Sequence, residues 1–171
     1  MDTVTLLLLS LLPCVLIAAA LSDLTTMTIP NWMSGALILG FFPAAFAVGL
    51  GPMTVAVHVG VAFAALFVGI GLFAMRVIGG GDAKLMATAC LWLGLSGSGV
   101  FLLWTGVAGG AFCLALIFAR AQVRPFVAGG PDWVHQLLEP KGDIPYGVAI
   151  AIGALMAFPS SALLATFASG H

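Results

Sequence analysis

The chain has 171 residues, of which 62% are hydrophobic and only 6% charged, with a mean hydropathy of +1.21 and a formal net charge of −1. A soluble domain carries about 25% charged residues, so this composition excludes an ordinary soluble enzyme and predicts an all-α integral membrane protein. No basic stripe is present to bind phosphates, which excludes a nucleic-acid partner.

Six apolar runs predict a six-transmembrane-helix bundle, because a helix satisfies its backbone polar groups within its own segment. They cover residues 4–21, 32–50, 54–78, 83–95, 100–119 and 146–168. The first run lacks a basic leader region, since Asp2 is the only charge before Asp23, and it is about a full span long. It therefore reads as a retained helix rather than a signal peptide. The runs leave no room for a sizeable soluble domain, and residues 1–171 read as one membrane-embedded unit. Turn residues mark the joints: Gly51-Pro52, Gly79-Gly80-Gly81 and Ser96-Gly97-Ser98-Gly99. The connection 120–145 is the longest and most polar, with a short interfacial helix expected near 132–138. Gly106, Gly109 and Gly110 predict close helix contacts in the fifth span.

Cys14, Cys90 and Cys113 lie inside apolar runs with no CxxC pair, so they read as packing residues rather than a zinc module or disulfide framework. His58, inside the third span, reads as a polar contact within the bundle. His135 and His171 have no partners at metal spacing, so no metal and no cofactor are expected. The basic residues Arg76, Lys84, Arg120, Arg124 and Lys141 all fall on the 3–4 and 5–6 connections. The positive-inside rule makes that side cytoplasmic, in a bacterial inner membrane, with both termini outside. Arg120 and Arg124 are expected at lipid headgroups, and Trp32, Trp133 and Tyr146 at the membrane interface.

Against this background two carboxylates stand out. Asp23 follows the first span and Asp82 follows the third, so both lie on the cytoplasmic side although far apart in sequence. A carboxylate at a membrane boundary is costly to keep and needs a reason. Two close carboxyl groups tend to share one proton. One can then take a proton from water while the other donates to a carbonyl oxygen, which is aspartic-protease chemistry without metal or covalent intermediate. The pair titrates as a unit, so neither residue is assigned the acid or the base. Gly79, Gly80 and Gly81 lack a Cβ and permit a helix break and close approach of an extended peptide. Lys84 can hold the ionised pair or meet lipid headgroups. Structural readings stand beside these. Asp82 suits an N-cap of the fourth span, and a glycine triplet is also a hinge or packing site. Asp23 suits a cap poorly, because Pro30 follows and 25–28 reads as extended or turn-like.

The order Asp23, Ile29-Pro30-Asn31, Gly79-Gly80-Gly81-Asp82-Ala83-Lys84 and Ile144-Pro145-Tyr146-Gly147 resembles the prepilin peptidase family of GxGD intramembrane aspartic proteases. The resemblance covers nearly the whole chain in order and spacing. The small size is similar to the branch that serves Flp-type tight-adherence pili (CpaA/TadV-like). It implies catalytic aspartates at Asp23 and Asp82 and cleavage of a type IV prepilin or pseudopilin leader at the cytoplasmic face, just before the substrate's apolar segment. Larger relatives also methylate the new N-terminus and carry a cytoplasmic domain with paired CxxC motifs. This chain has neither those cysteines nor space for that domain, so methylation is not expected. Relatives commonly carry basic residues between the first Asp and the IPN motif, where this chain has Leu24-Thr25-Thr26-Met27-Thr28.

Pro30 and Asn31 are expected to start the second span, with Asn31 able to cap. Pro145, Tyr146 and Gly147 open the sixth span on the catalytic side, where a share in lining the substrate groove is the second reading of Tyr146. Asp132, Glu139 and Asp143 read as solvated, although Asp143 adjoins the IPYG segment. Partners are then the prepilin and membrane lipids. The competing function is a proton-coupled transporter or channel with Asp23 and Asp82 as a relay. That reading wants ionisable groups along the span interiors, which hold little beyond His58. A non-catalytic scaffold would tolerate neutral substitution of both aspartates.

Overall fold

A computed structural model describes residues 3–122, 131–140 and 142–169. Arg124, Lys141 and His171 lie outside the described residues. All regular structure among the described residues is helical: α1 (Thr3–Thr26), α2 (Asn31–Val48), α3 (Pro52–Ala74), α4 (Gly80–Gln122), α5 (Asp132–Leu137), α6 (Tyr146–Ala157), a 3-10 turn (Phe158–Ser160) and α7 (Ala162–Ser169).

Five helical segments are long and apolar enough to cross a membrane: α1, α2, α3, α4 and the stretch Tyr146–Ser169. The 43-residue α4 is bent by Gly94, at φ 65° and ψ −169°, which a side chain rarely adopts. Its two arms, 80–93 and 95–122, run in opposite directions. The first packs antiparallel to α3, with Ala83 and Met86 near Gly69 and Leu91 near His58. The second packs antiparallel to α6, with Gly97 near Ala157 and Gly109 near Ala149. Five long segments thus make six crossings. The reversal falls at Gly94 rather than across Ser96–Gly99, because Gly94 alone among the glycines of α4 has a positive φ, absorbs the whole bend and lets helix resume at once. The first arm is short for a ~30 Å hydrocarbon core. It lies at the centre of the bundle, with every residue from Leu85 to Gly94 buried, so protein rather than lipid surrounds it.

Other boundaries differ from expectation for local reasons. The third helix stops at Ala74, and the chain turns through Met75–Gly79 with Arg76 at φ 59°. The sixth span is interrupted at Pro159, which lacks an N–H and opens the 3-10 turn before α7. Gly106 and Gly110 face open space, and of the three glycines expected to pack only Gly109 meets a neighbour. The short helix expected near 132–138 is α5.

The core gathers Leu12 and Leu16 of α1, Leu37 and Phe41 of α2, Leu85, Trp92 and Leu93 of α4, and Ile150 and Ala154 of α6. Trp92 Nε1 donates to the Leu37 carbonyl at 2.9 Å, so its indole is buried without an orphaned donor. His58 is the polar bundle contact the sequence predicts. Its Nδ1 donates to the Leu91 carbonyl at 2.7 Å and its ring stacks on Phe41 at 5.5 Å.

Candidate active site

The site forms where three helix ends meet. Helix α1 runs on through Asp23 to Thr26, two turns' worth of hydroxyl contacts supporting its end. Thr25 Oγ1 donates to the Leu21 carbonyl at 2.7 Å and Thr26 Oγ1 to the Ser22 carbonyl at 2.8 Å. Residues 25–26 are therefore helical where an extended or turn-like stretch is expected, 27–28 leave the helix, and Asp23 sits in the last turn of α1. Met27, at φ 51°, ends the helix. Residues 28–30 then cross to α2, with Pro30 at the N-cap position and extended (ψ 137°).

Asp82 is not an N-cap. Helix α4 begins at Gly80, three residues earlier than an Asp82 cap would place its start, which puts Asp82 at its third position. Its Oδ2 accepts from the Gly79 N–H at 3.0 Å, the carboxylate half of a capping box. Asp23 Oδ2 accepts from the Gly147 N–H at 2.7 Å, in the first turn of α6. Each carboxylate thus rests on a helix N-terminus, where N–H groups and the helix dipole favour negative charge. Asp23 and Asp82 are 6% and 7% exposed. Asp82 Oδ1 is buried with no hydrogen-bond partner among the described residues.

Both aspartates line two adjoining cavities. One, of about 320 Å³, is also bounded by Phe73, Arg76, Asp143 and Tyr146. The other, of about 250 Å³, is also bounded by Met27, Ile29, Gly80 and Gly81. A peptide passing from one to the other runs beside both carboxylates.

Ile29 is what sets the spacing. A Cβ on Gly147 would stand 2.8 Å from Asp23 Oδ2 and 3.0 Å from Ile29 Cδ1. A Cβ on Gly81 would stand 3.0 Å from Ile29 Cβ. The isoleucine side chain therefore fills the space between the α4 and α6 starts, and glycine is needed on both sides of it.

The remaining residues singled out from the sequence fall nearby in different ways. Gly79 supplies the N–H to Asp82, and Gly80 meets the Phe73 ring. Lys84 Nζ donates to Asn31 Oδ1 at 2.8 Å, tying α4 to α2 beside the site rather than meeting an aspartate. Asn31 makes no cap; its side chain serves Lys84. Pro145 is the N-cap residue of α6, and Tyr146 and Pro145 line the larger cavity. Arg120 is not a lipid-facing residue alone. Its Nε donates to the Leu137 carbonyl at 3.0 Å and its guanidinium to the Asp143 carbonyl at 2.9 Å, which anchors the segment leading into α6. Phe73 was missed as a cavity residue, since nothing in a run of apolar residues marks which one faces the site, and Arg76, read only as a charge on the 3–4 connection, also lines the cavity. Among the described residues no group of three or more His, Cys, Asp or Glu gathers.

Fold and site together define a multi-pass helical membrane protein with a carboxylate-lined cavity at one end. The model of the type IV leader peptidase family matches residues 10–114, from α1 into the second arm of α4, and the chain belongs to that family of peptidases acting on prepilin-type substrates. No curated protein and no solved structure matches the chain.

Proposed function

We propose that this chain is an aspartic endopeptidase that removes the leader of prepilin-like proteins, with Asp23 and Asp82 as the catalytic pair. The observation that supports this most directly is the arrangement of the two carboxylates. Both are buried at one cavity wall, each has an oxygen fixed by a backbone N–H, and Asp82 Oδ1 is unpartnered. A buried acceptor left alone costs roughly 1–3 kcal/mol, and a shared proton, a water or a substrate group each relieves that cost.

In this reading the pair holds one proton. The ionised carboxyl takes a proton from water as the water oxygen bonds to the scissile carbonyl carbon. The protonated carboxyl gives its proton to the carbonyl oxygen. The gem-diol then collapses: the C–N bond breaks, the leaving nitrogen receives a proton from one carboxyl, and the other carboxyl takes one from a hydroxyl. The pair again holds one proton. Gly79 and Gly147 orient the carboxylates throughout.

The substrate class is that of the family, taken here as a tight-adherence (Flp-type) prepilin. Arg76, Lys84 and Arg120 lie at the same end as the aspartates. This supports a cytoplasmic active site in a bacterial inner membrane, with both termini on the other side. Residues 1–171 act in this reading as one membrane-embedded peptidase unit. Co-expression with a Flp-type prepilin, following leader removal on a gel, tests the proposal. Cleavage by the wild type that is lost in both Asp23→Asn and Asp82→Asn at normal membrane levels supports the pair. Cleavage surviving in either variant removes that residue from catalysis.

A further inference from the structure

Among the described residues four have a positive φ, and they divide by the end of the bundle they occupy. At the end away from the aspartates both are glycine: Gly49, which closes α2, and Gly94, the reversal in α4. At the aspartate end both carry long side chains: Met27 at φ 51°, which closes α1, and Arg76 at φ 59°, which closes α3. After α2, the Leu50 N–H donates to the Ala45 carbonyl at 2.9 Å and the Gly49 N–H to the Phe46 carbonyl at 3.0 Å. After α3, the Val77 N–H donates to the Leu72 carbonyl at 2.9 Å and the Arg76 N–H to the Phe73 carbonyl at 2.9 Å. The two helix ends are the same motif, whose left-handed position favours glycine. Arginine holds that position only at the aspartate end.

Both residues meet again at the site. Met27 and Arg76 line the larger cavity together with Asp23 and Asp82, and Met27 lines the second cavity as well. Arg76 is the only cation among the described residues that line either cavity. Its guanidinium has no hydrogen bond or ion pair among the described residues, although Asp23, Asp82 and Asp143 line the same cavity. Lys84 and Arg120, by contrast, are engaged by Asn31 and by two carbonyls. A cation near a helix C-terminus also meets the helix dipole. At Met75, with φ −80°, it would do so without left-handed backbone, and Met27 carries no charge for the dipole to favour. Among the described residues, strained non-glycine backbone thus occurs only at two residues of the catalytic cavity, where a use for the side chain accounts for keeping it.

We propose that Arg76 and Met27 grip the extended substrate peptide beside the aspartates, Arg76 by donating N–H groups to its main-chain carbonyls and Met27 by packing on a substrate side chain. This rests on the peptidase reading above and adds which residues bind the peptide. A peptide that leaves helix or water for the cavity must have its carbonyls met. The guanidinium carries five N–H donors and no acceptor, whereas ionised carboxylates offer only acceptors. A neutral carbonyl also suits a cavity lined by three carboxylates, which an acidic substrate side chain would meet as like charges. The unbranched thioether of Met27 adapts to side chains of differing shape. Both residues act in binding rather than in proton transfer, so their loss is read in KM.

Glycine substitution in the full chain tests this, because it removes the side chain and relieves the backbone at once. Arg76→Gly and Met27→Gly, each checked for membrane insertion, are expected to raise the thermal transition temperature. Each is nevertheless expected to raise KM for a prepilin, about tenfold or more for Arg76→Gly, with kcat little changed. Gly49→Ala, at the matching backbone position of the far end, is expected to lower the transition temperature and leave KM unchanged. The KM rise in Arg76→Gly is expected to be the same for a prepilin whose acidic side chains near the scissile bond are neutralised. Unchanged KM in either glycine variant, with a helix end or a lipid phosphate as that residue's only use, overturns the grip. A rise that vanishes with the neutralised prepilin assigns Arg76 to a side-chain carboxylate and overturns the main-chain contact. In both cases wild-type cleavage leaves the peptidase reading intact, whereas a well-inserted wild type that cleaves no prepilin overturns both.

Discussion

The Gly147 N–H donates to Asp23 Oδ2 at 2.7 Å, joining residues 124 positions apart. Through this bond the last turn of α1 reads the position of α6. Any shift of α6 along its axis changes the aim of the Asp23 carboxylate. The IPYG segment therefore contributes a backbone amide to the site, beside the Pro145 and Tyr146 side chains that line the larger cavity.

Gly147→Ala is expected to lower cleavage by about 10–100-fold, because the added Cβ meets Asp23 Oδ2 and Ile29 together and, in the proposed mechanism, a small misplacement of Asp23 is costly. The check is kcat/KM with prepilin in detergent or membranes, alongside thermal unfolding to separate misplacement from misfolding. Wild-type kinetics in this variant would show that the contact does not aim Asp23.

Gly81→Ala pushes on the same isoleucine from the other side. Ile29→Ala relieves that contact, so the double variant should recover part of the activity that Gly81→Ala loses. A coupling of about 0.5–3 kcal/mol is expected from a double-mutant cycle. Additive losses would separate Ile29 from the spacing of the pair.

Gly94→Ala is expected to destabilise the bundle by about 1–3 kcal/mol or more, through the strain of φ 65° and the clash of the new Cβ with His58 Nε2 at 2.5 Å. Gly99→Ala, in helical backbone with open space around it, is expected to be neutral or stabilising by up to about 1 kcal/mol. Thermal unfolding of the purified variants compares the two. Equal transition temperatures would refute the role of Gly94 as the reversal point.

Lys84→Met and Asn31→Ala should have similar, non-additive effects, since each removes the same hydrogen bond between α4 and α2. A bond to a charged group contributes roughly 1.5–3 kcal/mol when buried, and this one is exposed, so less than a tenfold loss of cleavage is expected. A loss as large as that of Asp82→Asn would instead place Lys84 in the chemistry.

Arg120→Ala frees the Leu137 and Asp143 carbonyls and loosens the approach to α6. A several-fold rise in KM is expected, together with faster proteolytic nicking between α5 and α6. Arg120→Lys should restore little, because a single ammonium does not reproduce the two divergent donors. Full rescue by lysine would reduce the role to charge.

Membrane class, six crossings and the two carboxylates were legible in the chain because hydropathy and lone charges in apolar runs are local signals. Composition alone excluded a soluble fold, and the spacing of Asp23 and Asp82 put both at one side of the bilayer. The helix boundaries were less legible. Gly94, Gly97 and Gly99 look alike in sequence, and only packing against His58 selects Gly94 as the bend. Asp82 suited an N-cap by its neighbours, yet the helix begins at Gly80 because the Asp82 carboxylate itself caps the Gly79 N–H. Arg120 looked like a headgroup contact, but two backbone carbonyls lie within its reach once α4 returns to the site. Tertiary structure alone decided that Gly147 holds Asp23, that Ile29 spaces the starts of α4 and α6, and that Phe73 faces the cavity. Those relationships join distant segments across a few ångströms, and they depend on how helices close on one another, which no local pattern of residues encodes.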